Sequence, residues 1–145
     1  MIHVRRSTAA LAPLAFLACG AFSEPEGPEL GVTVAPSVIE SPSDDWIVVS
    51  FEVVNHGGST AYVSACGERV LAAIDRLTDA GWVRHASDAC LAIYPMVPIE
   101  IAPGDTLRGR RSIAGAGRFR LRIGARAGRD DRERWDAASN AFTIQ

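Results

Sequence analysis

Trp46-Ile-Val-Val-Ser-Phe-Glu-Val-Val-Asn55 is the stretch that decides the fold class of this chain. Successive side chains of a strand point to opposite faces, so Ile47, Val49, Phe51 and Val53 share one side and Val48, Ser50, Glu52 and Val54 the other. Asn55-His-Gly-Gly58 has turn chemistry, and Thr60–Ala65 follows as a second β-like run, so the two read as a hairpin. His56 falls in that turn and reads as a solvated turn residue, not as a catalytic base.

The same reading extends in both directions. Upstream, Gly31–Ile39 is a strand with Val32, Val34 and Val38 on one face, and Pro36 makes it an edge or breaks it. Ser41–Asp45 is a turn. Downstream, residues 68–77 admit two readings. Val70, Leu71, Ile74 and Leu77 fit a helical stripe, whereas Thr78-Asp-Ala-Gly81 followed by Trp82-Val83 fits a β-turn and return strand. The hairpin is preferred because every neighbour is β. Cys90–Ile93 is expected as short extended structure, Pro95–Ile101 as an edge, and Thr106–Ile113 as a strand. Arg118–Arg126 is another strand, with Phe119, Leu121, Ile123 and Ala125 facing in. Residues 128–138 read as a polar loop or short helical turn, and Asn140–Gln145 closes the chain. Seven to nine short strands with a turn about every dozen residues predict an all-β fold, an antiparallel β-sandwich, over residues 30–145.

The N-terminal 18 residues look different. Arg5 and Arg6 precede an uncharged apolar run over residues 9–18, shorter than the roughly 20 residues a bilayer span needs. This is the layout of an export signal. It ends on Phe16-Leu-Ala-Cys-Gly20, which resembles the lipobox of bacterial lipoproteins. That resemblance implies cleavage before Cys19 and lipid attachment on it, with the protein held on the cell membrane or outer membrane, facing periplasm or exterior. Ordinary secretory cleavage after Ala21, which discards Cys19, is the competing reading. Residues 19–29, rich in Pro, Gly and Glu, read as a tether.

Removing residues 1–18 leaves 13 arginines against 17 acids, a net charge of −4, and the chain has no lysine. A net acidic chain exerts no general attraction on nucleic acid. The charge is unevenly spread: residues 19–105 carry a net −10 and residues 106–145 a net +6. With Cys19 assigned to lipid, Cys66 and Cys90 remain and are expected to pair in an oxidising compartment. His56 and His85 are isolated, without ligand spacing, so no metal or other cofactor is expected.

Catalytic signatures are missing: there is no Gly-x-Ser-x-Gly, no phosphate-binding glycine loop and no zincin helix. The chain therefore reads as a binding protein and not an enzyme. Its candidate surface is a row of arginines. Arg118, Arg120 and Arg122 alternate on one strand and Arg108 and Arg110 on the strand before it. Paired as a hairpin, the two strands would line five guanidinium groups on one face, fit for an acidic envelope protein, phosphate-bearing lipid headgroups or an anionic glycan. The competing reading is neutralisation by Glu40, Glu52, Glu100 and Asp105 across neighbouring strands. Trp46 and Trp82 read as core or core-edge residues. Trp135 either caps the sandwich or, if exposed, anchors a contact.

Asn55-x-Gly57, Cys66-Gly67, Trp82, Cys90, Pro98-Ile-Glu-Ile-Ala-Pro-Gly-Asp105 and Gly117-Arg-Phe-Arg-Leu121 together resemble bacterial Ig-like domains, including those related to the BsuPI-type proteinase-inhibitor family. The resemblance covers most of residues 30–145 and implies an Ig-like sandwich. It names no partner, because its motifs are structural. It does suggest an alternative function, a secreted or periplasmic protease inhibitor, with residues 84–97 or 128–138 as the protruding loop.

Overall fold

A computed structural model describes residues 27–40 and 46–145. The expected signal peptide, Cys19, the first part of the expected tether and the turn expected at 41–45 lie outside the described residues. Among those described there are thirteen strands and no helix: β1 (Leu30–Val34), β2 (Val38–Ile39), β3 (Trp46–Asn55), β4 (Ala61–Val63), β5 (Ala65–Cys66), β6 (Arg69–Val70), β7 (Ala72–Thr78), β8 (Gly81–Ala86), β9 (Ile99–Ile101), β10 (Thr106–Ala114), β11 (Gly117–Arg126), β12 (Trp135–Ala138) and β13 (Phe142–Ile144). The fold is the expected all-β, antiparallel sandwich. The strand count exceeds seven to nine because several runs are cut into short pieces. The run at 31–39 is cut at the cis Ala35–Pro36 bond into β1 and β2, which join different sheets.

One sheet has the order β1-β3-β10. The other is built around β11. On one side, β11 pairs with β7 over Phe119–Ile123 and with β4 over Ala125–Arg126; on the other, it pairs with β13 and β12. The β5–β6 hairpin projects between β4 and β7, and β8 and β9 extend the sheet outward. Alternation places the core as the sequence indicates. Val49, Phe51 and Val53 of β3 face Phe119, Leu121, Ile123 and Ala125 of β11, all buried, with Phe142 and Ile144 between the layers.

Two pairings and one segment differ from expectation. β3 forms no hairpin with β4; it pairs with β1 and β10, while β4 crosses to the other sheet beside β11 and β9. β10 and β11 are consecutive but also lie in different sheets. Both linkers, 56–60 and 115–116, turn the chain between layers, and a turn signal in sequence does not distinguish that path from a hairpin. Cys90–Ile93 is not extended: Tyr94 N–H donates to Leu91 O at 2.9 Å, closing a turn. By contrast, residues 72–86 form the expected hairpin, β7 with β8, and β9 is an edge strand, pairing only with β4. Residues 127–134 are irregular, as expected, but Trp135–Ala138 is a strand.

The crossing at 55–60 is fixed by Asn55, which is fully buried. Its amide Nδ2 donates to Ser59 O at 2.8 Å and Ile101 O at 2.9 Å, and its Oδ1 accepts from Gly57 N–H at 3.1 Å. Its backbone groups bond Asp105 and Gly104. A buried amide with its hydrogen-bonding groups satisfied in this way is stable where an unpaired one costs about 1–3 kcal/mol. Gly57 permits residues 27–29 to pack here, since a Cβ would come within 2.3 Å of Gly27 O. Glu29 O accepts from His56 N–H at 2.7 Å. Residues 27–29 therefore belong to the folded domain, which begins earlier than residue 30.

Candidate functional site

The five arginines do not share a face. Arg108 and Arg110 project from the outer side of the β1-β3-β10 sheet, and Arg118, Arg120 and Arg122 from the other sheet. Arg108 meets Glu52 at 2.9 Å, one of the neutralising pairs expected, and Glu100 is taken by Arg129 at 3.1 Å.

On the β11 sheet the organising residue is one that sequence reasoning passed over. Asp75 of β7 is buried, its side chain only 4% exposed, and three arginines converge on it. Arg84 Nε donates to Oδ1 at 2.9 Å, Arg120 donates to Oδ2 at 3.1 Å, and Arg122 Nη1 lies 3.7 Å from Oδ2. Strand register brings them together: Asp75 faces Arg84 on β8 and Arg120 on β11. Burial pushes the Asp75 carboxyl up, but the hydrogen bonds from Arg84 and Arg120 and the charges of Arg84 and Arg122 outweigh it and hold it below its ordinary 3.8. Arg122 also bonds Asp136, and the Arg120 guanidinium stacks on Trp82, 4.7 Å from the ring centroid. Trp82 is thus half-buried under an arginine on the outer face, not part of the core.

Beside this cluster runs an open groove of about 680 Å³, bordered by Arg84, Arg122, Arg134, Asp88, Asp136 and Met96. Gly124 forms part of its floor: a Cβ there would come within 2.6 Å of Arg134 Nη2, so the absence of a side chain lets that guanidinium lie on the sheet. Asp88, with its side chain also buried, is a second clasp. It holds Arg69 at 2.8 Å, bonds Arg111, and accepts from Ala72 N–H at 2.9 Å. One carboxylate so ties the β5–β6 hairpin, β10 of the opposite sheet and β7 to the root of the loop 87–98.

That loop is the most unusual surface of the domain. Ala89–Pro98 contains no charged residue, and Leu91, Ile93, Tyr94, Met96 and Val97 are all exposed, Ile93 by 79% and Met96 by 65%. It is fastened by the expected Cys66–Cys90 disulfide, with Cα atoms 5.5 Å apart, and by Gly67 N–H donating to Pro95 O at 3.1 Å. A disulfide of this kind belongs to an oxidising, extracytoplasmic environment. In the chain-entropy picture it contributes roughly 3–4 kcal/mol.

The tryptophans resolve differently from one another. Trp135 packs against the core, so it caps the sandwich and is no exposed anchor. Trp46 is exposed, contrary to the core-edge expectation. His56 sits exposed in its turn with its ring over Gly31, and His85 packs on Phe119 at 5.5 Å, away from the groove. Among the described residues no three His, Cys, Asp or Glu side chains group as metal ligands, and no helix is long and apolar enough to cross a membrane.

No protein-family model matches the chain, and no curated protein matches it. Among solved structures, a β-glucosidase from Listeria innocua is similar at 10% identity and a TM-score of 0.37. The match covers 77% of this chain, which spans 16% of that one.

Proposed function

We propose that this is an exported bacterial lipoprotein, anchored through Cys19, whose sandwich acts as a non-catalytic binding module at the cell envelope. The observation that carries this reading is the disulfide-fastened, uncharged loop with five apolar side chains in solvent. Exposed apolar patches on otherwise polar domains mark contact sites. The lipobox-like ending of the leader and the cysteine pairing both support an extracytoplasmic location. The partner is an envelope component within reach of the tether. The arginines around Asp75 serve mainly the fold, and Arg134 and the groove edge remain for contact.

Two measurements test the proposal. Intact mass of the protein from its native membranes should show a chain starting at Cys19 with acyl mass, gaining two hydrogens on reduction. A lipid-free chain starting near Phe22 would overturn the anchor. A photo-crosslinking residue at Ile93 should yield envelope adducts that the same residue at Ser112, on the opposite sheet, does not. Equal labelling at both sites would overturn the loop as the contact.

A second reading has its own support. The expected inhibitor loop, residues 84–97, includes the irregular, exposed, disulfide-fastened segment, and rigid presentation of a loop is what inhibition of a protease requires. Serine proteases assayed with purified domain test it: inhibition at micromolar excess supports this reading, and none across the panel removes it.

A further inference from the structure

We infer that the loop Ala89–Pro98 docks on a lipid bilayer, its apolar side chains entering the interfacial zone while neighbouring arginines take anionic phosphate headgroups. This deepens the binding reading above and rests on it for bringing the domain to a membrane.

Three observations favour a lipid surface as the occupant. The first is the chemistry of the loop. Leu91, Ile93, Met96 and Val97 are apolar, and Tyr94 adds an amphipathic ring of the type enriched at the headgroup level. Ten residues without charge place no ion to be desolvated on insertion.

The second is charge. Met96 borders both the groove that carries Arg84, Arg122 and Arg134 and a smaller cleft that carries Arg126. The acids of the groove, Asp88 and Asp136, are each ion-paired with arginine. Among the described residues Arg126 and Arg134 form no ion pair. An apolar tip with an arginine flank matches an anionic bilayer, where area and charge add.

The third is reach. From Cys19 to Gly27 is eight residues, at most about 29 Å of extended chain. The chain enters the domain at Glu29, bonded to His56, and the adjoining Asn55 side chain bonds Ile101. From Ile101 back to Pro98 is three residues, about 10 Å of strand. The root of the loop at Pro98 thus lies about 10 Å up the sheet from the end at which the tether enters, and a short tether keeps that half of the domain close to the surface the loop would enter.

The test uses the chain from residue 19 with Cys19→Ser, which retains every core residue from Val32 to Ile144 and carries no lipid. Its disulfide is kept intact. Co-sedimentation is measured with vesicles of equimolar phosphatidylglycerol and phosphatidylcholine, and with phosphatidylcholine alone. The expected result is binding to the anionic vesicles, weaker binding to the neutral ones, and loss of the difference in high salt. Ile93→Ser with Met96→Ser, both exposed, should keep the melting temperature and lower partitioning about tenfold or more. No binding to either vesicle, or unchanged binding by the double variant, overturns the inference, as does a loop that instead drives self-association or crosslinks only to protein. The anchor stands or falls separately: acyl mass on Cys19 can be present while the unlipidated chain ignores vesicles, and the reverse.

Discussion

Arg108 on β10 and Arg120 on β11 have the same sequence context, an arginine alternating along a strand, and each reaches an acid on a neighbouring strand at about the same distance. Their surroundings differ. The Arg108–Glu52 pair stands in solvent, its side chains 81% and 50% exposed. Asp75 is buried beneath three guanidinium groups, one of which stacks on Trp82. The contrast teaches that alternation sets which face an arginine occupies, while the burial of its partner sets what the pair is worth. In water an ion pair exchanges one set of good contacts for another; a buried carboxylate has no such alternative.

The largest test of that contrast is Asp75→Ala. Removing the carboxylate leaves Arg84 and Arg120 crowded without their counterion and Arg122 with Asp136 alone, and urea unfolding should show a loss of about 3 kcal/mol, moderated because the arginines are partly exposed. The effect carries a pH signature. The folded carboxyl titrates below its ordinary 3.8, so its stabilisation is fully present above that value and is lost as pH falls through the lower folded one. The gap between wild type and variant should be constant from pH 5 to 7 and close in stronger acid. A gap that persists at low pH would mean that Asp75 acts through packing alone. The same geometry makes charge reversal at Arg120 and Arg122 a poor probe of binding, since new carboxylates would face Asp75.

A smaller test separates the members of the cluster. Arg120→Ala removes one hydrogen-bonding partner and the stack on Trp82, and should cost about 1–2 kcal/mol. Arg120→Lys keeps the charge but not the planar group, and should recover about half of that loss. Full recovery by lysine would show that the stack contributes nothing.

Much of this was legible in the chain. β3 and the inward residues of β11 follow from strict alternation, and the cysteine pairing follows from an oxidising compartment. Each is a local signal or a matter of compartment. The clusters were not legible, because they depend on which strands are neighbours. Asp75 sits in Ile74-Asp-Arg-Leu77, a segment that also fits a helix, and nothing in its own sequence shows that β8 and β11 will present arginines to it. One clue was available: on a half-buried strand, an acid whose same-face neighbours are apolar, here Ala73 and Leu77, needs a cation. Asp88 is harder still, since its partners come from β6, β7 and β10, which lie in three different sheets. The arginine face failed for the same reason. The Gly115-Ala116 turn looks like a hairpin turn, yet it carries the chain between layers. The exposed apolar run at 91–97 is visible as composition, but extended structure and an edge strand were the natural readings before its turn and disulfide were placed.

The least effect belongs to the exposed pair, and it makes the comparison quantitative. Glu52→Gln and Arg108→Ala, alone and together, form a double-mutant cycle whose coupling should be under about 0.5 kcal/mol and fade in high salt. Both residues point outward from the same sheet, so neither substitution opens a cavity or strands a charge. The matching cycle on Asp75 and Arg84 should give a coupling several times larger and less sensitive to salt, because one partner is out of water. If the two cycles gave equal couplings, burial of the carboxylate would not be what distinguishes the two faces. The stabilisation around Asp75 would then have to come from the number of arginines it gathers, an effect that the Arg120→Ala and Arg84→Ala variants would show as additive losses.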